Sequence, residues 1–198
     1  MQYTGCRPTT PEEFDALIGA LNGQFRTRNA ALFTLARYTG YRISELLSIK
    51  VGQVWDGQSM RASVTVSREK MKGKRFSRTL PLHRIAAQSI YFWIKEAGKT
   101  GPEWQEFPLF SSRKGTRAMT PITAWRILQD AASRALISTE RLGMHSFRKQ
   151  FAMTMWESEY VQKDMAKMSR LLGHAHFSST IRYLEFGNGI LESAVLAA

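Results

Sequence analysis

Toward its carboxyl end the chain carries LLGHAHFSSTIRYLEF, residues 171–186, in which His174 and His176 precede a run of small hydroxyl residues and then Tyr183. Upstream, HSFR at 145–148 sets His145 and Arg148 three apart, on one face of an expected helix. Arg42 follows Gly40 and Tyr41, and Glu45 stands three residues beyond it. Arginines suit the planar, bidentate recognition of carboxylate or phosphate, imidazoles suit proton transfer or metal binding, and a phenol can act as a nucleophile. A metal site built from His145, His174 and His176 would have the right ligand type. It lacks a positioned carboxylate or thiolate and the His-Glu-x-x-His spacing, so no metal is expected. Each group also has a plainer structural use: a helix-end cation for Arg42, a solvated face for His145 and Arg148, a helix cap for His174, a core or rim ring for Tyr183.

Charge narrows the partner. The chain has 28 Lys+Arg against 16 Asp+Glu, a net charge of +12, which points to a polyanion. The basic residues concentrate in SREKMKGKRFSR, residues 67–78, where Arg68, Lys70, Lys72, Lys74, Arg75 and Arg78 call for phosphate or open water. A hydrophobic content of 43% over 198 residues is enough for one domain with a substantial core. No run approaches the roughly 18 apolar residues that cross a bilayer, and the amino end has no secretory pattern. Cys6 is the only cysteine and can make no internal disulfide. A soluble, cytoplasmic chain is expected.

The elements that must position these groups follow from spacing and caps. Thr10-Pro11-Glu12-Glu13 opens a helix over 11–21. Apolar spacing predicts a helix over 28–38 that ends at Gly40, then a short one from Ser44 to Leu47. The runs at 62–67 and 76–80 flank the basic segment as a hairpin with a charged tip, stopped by Pro81. Helices are expected at 84–97, 121–136, 145–157, 163–172 and 178–183, with Gly98–Gly115 the only long connection. A phosphate-cradling loop ending in Lys99-Thr100 would need glycine where Trp93 stands, and Gly187-Asn188-Gly189 lacks the third glycine of a dinucleotide fingerprint. The fold class is mainly α with a small antiparallel hairpin.

Taken in order, TGYRISELLSI (39–49), the basic hairpin ending in RTLPL (78–82), HSFRKQFA (145–152), LLGH (171–174) and Tyr183 resemble the tyrosine recombinase, or phage integrase, family. The resemblance covers nearly all of residues 10–186. It implies the DNA breaking-rejoining catalytic fold, a domain over 11–186 between an amino-terminal tail at 1–10 and a carboxyl-terminal tail at 187–198, and site-specific cutting and rejoining of DNA through a 3′-phosphotyrosine without cofactor. Tyr183 then resembles the nucleophile, Arg42 and Arg148 the arginines that grip the scissile phosphate, His174 a further donor to it, His145 a proton-transfer group and Glu45 an orienting acid.

A lysine of the hairpin tip would protonate the leaving oxygen. Lys70 is favoured and Lys72 is the alternative, because the loop is longer here than the commonest family spacing. Lys72, Lys74 and Arg75 would contact DNA. The implied partners are double-stranded DNA, three further copies in a tetramer on DNA, and an accessory DNA-binding protein; without DNA the chain would be a monomer or weak oligomer. The tail at 187–198 would dock on a neighbouring protomer or fold back on its own domain. Arg42 arrives too early for the amino-terminal DNA-binding domain usual in the family, so a short recombinase or a catalytic fragment is expected, with weak and salt-sensitive DNA binding. A type IB topoisomerase-like enzyme and a catalytically silent DNA-binding regulator on the same fold are the alternatives.

Overall fold

The computed structural model describes residues 5–66, 77–113, 115–174 and 177–184; for Phe177 and residues 182–184 it describes the backbone alone. Lys70, Lys72, Lys74, Arg75, His176 and the tail at 187–198 lie outside the described residues. The chain divides into two compact units between Gln150 and Phe151.

In the first unit, helix α1 (Pro11–Gly19) begins where the sequence places it. The Thr10 hydroxyl accepts the Glu13 N–H at 3.1 Å and the Glu13 carboxylate accepts the Thr10 N–H at 3.0 Å, satisfying two donors that a helix start leaves open. Helix α2 (Arg26–Thr39) is the central element: Leu32, Phe33 and Leu35 are fully buried, and it packs on α4 (Arg84–Glu96) and on α3 (Ile43–Leu47). Burying each such side chain is worth about 1.5–3 kcal/mol. Gly40 ends α2 at φ 56°, a left-handed turn that glycine makes without strain, and Arg42, in extended geometry, then leads into α3.

The hairpin pairs β1 (Ser63–Val66) with β2 (Arg78–Pro81), from Ser63 opposite Pro81 to Val66 opposite Arg78. Its two faces differ as a half-buried strand pair requires: Val64, Val66 and Leu80 turn inward, while the Thr65 and Thr79 hydroxyls meet on the outer face at 2.8 Å. Pro81 is the last paired residue of β2 rather than a stop before it. Arg78 also occupies an inward position and is only 7% exposed, so it does not belong to the solvated basic face expected for residues 67–78.

Helix α5 (Pro121–Arg134) is capped by Thr120 and buries Ala124, Leu128, Ala131 and Ala132; it packs on α1 and α3. The stretch from Gly98 to Gly115 is long but is not a bare loop, and Val51–Ala62, with a 3-10 turn at Val51–Gln53, is a second long connection. Residues Pro102–Trp104 form a 3-10 turn, Leu109 and Phe110 are fully buried, and the Leu109 N–H bonds the Ile49 carbonyl at 2.8 Å. Lys99, the residue that suggests a phosphate loop, is instead buried: its ammonium donates to Ser111 Oγ at 2.7 Å and lies 5.5 Å from the rings of both Trp93 and Trp104. Apolar neighbours distant in sequence made this segment part of the core, and local periodicity carries no trace of them.

Helix α6 (Met144–Trp156) begins in the first unit, where Phe147 packs edge-on against Phe14 at 5.7 Å and tilted against Phe33 at 5.3 Å. The second unit holds the end of α6, helix α7 (Met165–Leu172) and helix α8 (Phe177–Leu184). Among the described residues its core is formed by Phe151, Ala152, Trp156, Val161, Met168 and Leu172. Asp164 caps α7 by accepting the Ala166 and Lys167 N–H groups at 2.7 and 3.0 Å, and Gly173 ends it at φ 61°. No described helix is long and apolar enough to cross a membrane.

Candidate active site

Arg42 stands at the start of α3, where its own backbone and side chain meet one carboxylate. Glu45 Oε2 accepts the Arg42 N–H at 2.7 Å and Glu45 Oε1 accepts the guanidinium at 3.2 Å. The Glu45 side chain is 1% exposed while that of Arg42 is 24% exposed, so the acid is the buried anchor and the arginine keeps an open edge. Arg78 reaches the same carboxylate from β2, with Nη2 3.7 Å from Oε2. Burial by itself would raise the Glu45 carboxyl. The Arg42 N–H and the positive charges of Arg78, Arg42 and Arg148 outweigh it and hold the group below the usual carboxylate range.

Tyr41 explains how a guanidinium comes to lie on the inner face of a hairpin. Its ring is buried, its hydroxyl lies 2.9 Å from both the Val64 and Arg78 carbonyl oxygens, and the Arg78 guanidinium sits 4.1 Å from the ring centre. One side chain thereby ties both strands to the α2–α3 turn and offers Arg78 a cation-π surface. Burial pushes the Tyr41 hydroxyl up to about 12, so at neutral pH it is a proton donor and not a nucleophile. Nothing local in the sequence marks Tyr41 and Arg78 as partners; the one available signal is inward position in the hairpin, with Arg78 in phase with Leu80.

Arg148 is 1% exposed, and its Nη1 donates to the Gly40 carbonyl, two residues before Arg42. The packing of the preceding residue, Phe147, against Phe14 and Phe33 sets the rotation of α6 that makes this bond. His145, one turn earlier, lies at the surface. Partial desolvation and the charges of Arg148, Arg42 and Lys149 push its imidazole below the usual histidine value, which keeps it neutral at pH 7.

In the second unit, His174 follows the Gly173 turn, and its backbone N–H donates to the Ser169 carbonyl at 2.9 Å. Its Nδ1 lies 2.9 Å from Thr180 Oγ1, and Thr180 Oγ1 is 2.7 Å from Ser169 Oγ. Tyr183 is on α8, three residues past Thr180. The structure therefore groups Arg42, Glu45, His145 and Arg148 in the first unit and places His174 and the Tyr183 backbone in the second. Among the described residues no three His, Cys, Asp or Glu side chains are grouped so as to hold a metal ion.

The phage integrase family model matches residues 7–187. The chain belongs to the phage integrase family. Among curated relatives, the tyrosine recombinase XerD of Mycobacterium leprae is 31% identical over 185 residues, 88% of this chain and 55% of its own. The tyrosine recombinase XerH of Campylobacter jejuni subsp. jejuni is 27% identical over 191 residues, 94% of this chain and 50% of its own. YoeC of Bacillus subtilis, a probable integrase/recombinase, is 29% identical over 171 residues, 86% of this chain and 82% of its own. The chain thus spans about half the length of XerH and XerD.

Solved structures agree on the fold. The crystal structure of XerA recombinase superposes with a TM-score of 0.73 at 20% identity, over 100% of this chain and 65% of that one. That of XerH site-specific recombinase bound to palindromic difH substrate gives 0.71 at 20% identity, over 96% and 52%. The expected mainly helical, hairpin-bearing fold of the family is the fold observed.

Proposed function

We propose that this chain is the catalytic part of a site-specific DNA recombinase, occupying 11–186, that cuts and rejoins strands through a 3′-phosphotyrosine on Tyr183. The observation that carries the reading is the pinning of Arg148 to the carbonyl of Gly40 while Glu45 holds Arg42 two residues on. Two fixed guanidiniums of this kind answer the charge that gathers on the non-bridging oxygens of a phosphodiester under attack. The names of the relatives, tyrosine recombinases and an integrase, favour this reading over a topoisomerase-like enzyme or a silent regulator.

In the cleavage step the Tyr183 oxygen bonds to phosphorus as the bond to the 5′-oxygen breaks. Neutral His145 accepts the phenol proton, His174 donates to a phosphate oxygen, and Lys70, with Lys72 as the alternative, gives a proton to the leaving oxygen. Rejoining is the reverse, with a 5′-hydroxyl as nucleophile, and needs neither metal nor nucleotide because the phosphotyrosine conserves the bond energy. Lys72, Lys74 and Arg75 add backbone contacts. The partners are duplex DNA, other copies of the chain in a tetramer, with residues 187–198 docking on a neighbouring protomer or folding back on their own domain, and an accessory DNA-binding protein, all within the cytoplasm.

The test is incubation with a nicked duplex library of randomised core sequence, labelled on the strand that would remain attached, followed by denaturing electrophoresis. The native chain forms a covalent protein–DNA band and Tyr183→Phe does not. A band of equal strength in both would place the nucleophile elsewhere and end the proposal. Binding by the chain alone weakens steeply from 50 to 200 mM salt; tight binding indifferent to salt would contradict the phosphate-led contact.

A further inference from the structure

The Ser169, Thr180 and His174 side chains form a hydrogen-bonded chain. Thr180 has no exposed surface and Ser169 almost none. Each hydroxyl has one proton to give. Among the described residues the only hydrogen-bond partner of the Ser169 hydroxyl is Thr180 Oγ1, at 2.7 Å. If Thr180 gave its proton to Ser169, the Ser169 proton would be buried without an acceptor, an arrangement folded proteins avoid. The direction that satisfies all three groups runs from Ser169 to Thr180 and from Thr180 to Nδ1 of His174, 2.9 Å away. Nδ1 is then the acceptor, and the proton of a neutral ring stands on Nε2.

We infer that Ser169 and Thr180 are a hydroxyl relay that fixes His174 as the Nε2–H tautomer, with Thr180 a positioning residue for the transfer reaction. Resting on the recombinase reading, the use of this relay is to present an N–H to the scissile phosphate. The phosphate oxygens are anionic and carry no proton, so the opposite tautomer would face them with a lone pair. Thr180 lies three residues before Tyr183 on α8, so the helix that bears the phenol also bears the group that orients the histidine.

Nitrogen-15 imidazole spectra of the full chain, without DNA, read the tautomer directly. His174→Gln identifies the signal among the four histidines. The wild type shows Nδ1 unprotonated and Nε2 protonated at pH above the ring's titration; Thr180→Ser keeps that pattern, and Thr180→Val turns it into a mixture of tautomers. Ser169→Ala, which leaves Thr180 in place, weakens the preference in the same direction. A wild-type ring protonated on Nδ1, or a pattern unchanged in Thr180→Val, overturns the relay; if the valine variant does not fold, the wild-type and Ser169→Ala spectra still decide. On the nicked substrate Thr180→Val slows covalent adduct formation by about 10- to 100-fold and Thr180→Ser restores it. If the spectra come out as stated while the wild type forms no Tyr183-dependent adduct, the relay stands and the recombinase reading falls.

Discussion

Arg42 and Arg148 in the first unit and His174 in the second are held by different means. The guanidiniums sit over a sizeable core and are fixed by ionic and backbone partners: Glu45 for Arg42, the Gly40 carbonyl for Arg148, with Arg78 and Tyr41 closing the network behind them. The imidazole is held at Nδ1 by a buried hydroxyl pair, on helices whose described core includes Phe151, Trp156, Met168 and Leu172. The difference follows from the tasks proposed. A phosphate clamp gains from charges whose orientation is settled before substrate arrives, since no reorganisation is then needed during reaction. A donor that must present one particular proton gains from hydroxyl partners that settle which ring nitrogen carries it.

Removing parts of each network tests this contrast. The largest effect belongs to Arg148→Met, which should lower covalent adduct formation by at least about 10³-fold, with Arg148→Lys recovering little, because a lysine cannot reproduce the fork. Arg42→Lys should cost about 10²–10³-fold in the same electrophoretic measurement yet leave the melting temperature nearly unchanged, since Arg42 keeps an open edge. Equal losses of stability in the two variants would erase the distinction between buried pin and exposed grip.

Leu172→Ala, in the core of the second unit, should cost about 2–5 kcal/mol and raise hydrogen exchange across residues 151–184 ahead of the first unit. Exchange rising evenly over the whole chain would show that the units do not differ in local stability. Glu45→Gln should be milder at neutral pH, on the order of 1–3 kcal/mol, and its cost depends on pH. Because the native carboxyl titrates below its unfolded value of 4.5, its contribution is fully present above that value and is lost as pH falls through the lowered native one. The difference in melting temperature between wild type and Glu45→Gln should therefore close on acidification below about pH 4.5; a gap that persisted there would rule out the charge as its source. Tyr41→Phe should show the smallest effect, about 1 kcal/mol by denaturant melts, for one hydroxyl bonded to the two strand carbonyls.

Local signals were enough for most of the frame. Caps at Thr10 and Thr120, glycine stops at Gly40 and Gly173, and the inward–outward alternation of the hairpin depend on a few adjacent residues, so they could be read to within a residue or two. The same locality put Glu45 beside Arg42, since three residues at a helix start leave the carboxylate little else to bond. The bond from Arg148 to the Gly40 carbonyl, across more than a hundred residues, has no local signal; the family resemblance implied only that Arg42 and Arg148 serve one phosphate.

What the sequence determined by itself was thus the set of helices, the hairpin, the basic charge and the types of group available for chemistry, because each depends on short-range backbone sterics or on composition. Only the tertiary structure decided that Arg78 is a buried partner of Glu45 rather than a solvated cation, that Lys99 is packed among tryptophans, and that Thr180 meets both Ser169 and His174. These are choices between water and a protein partner. Which one wins depends on what the rest of the chain brings to that point in space.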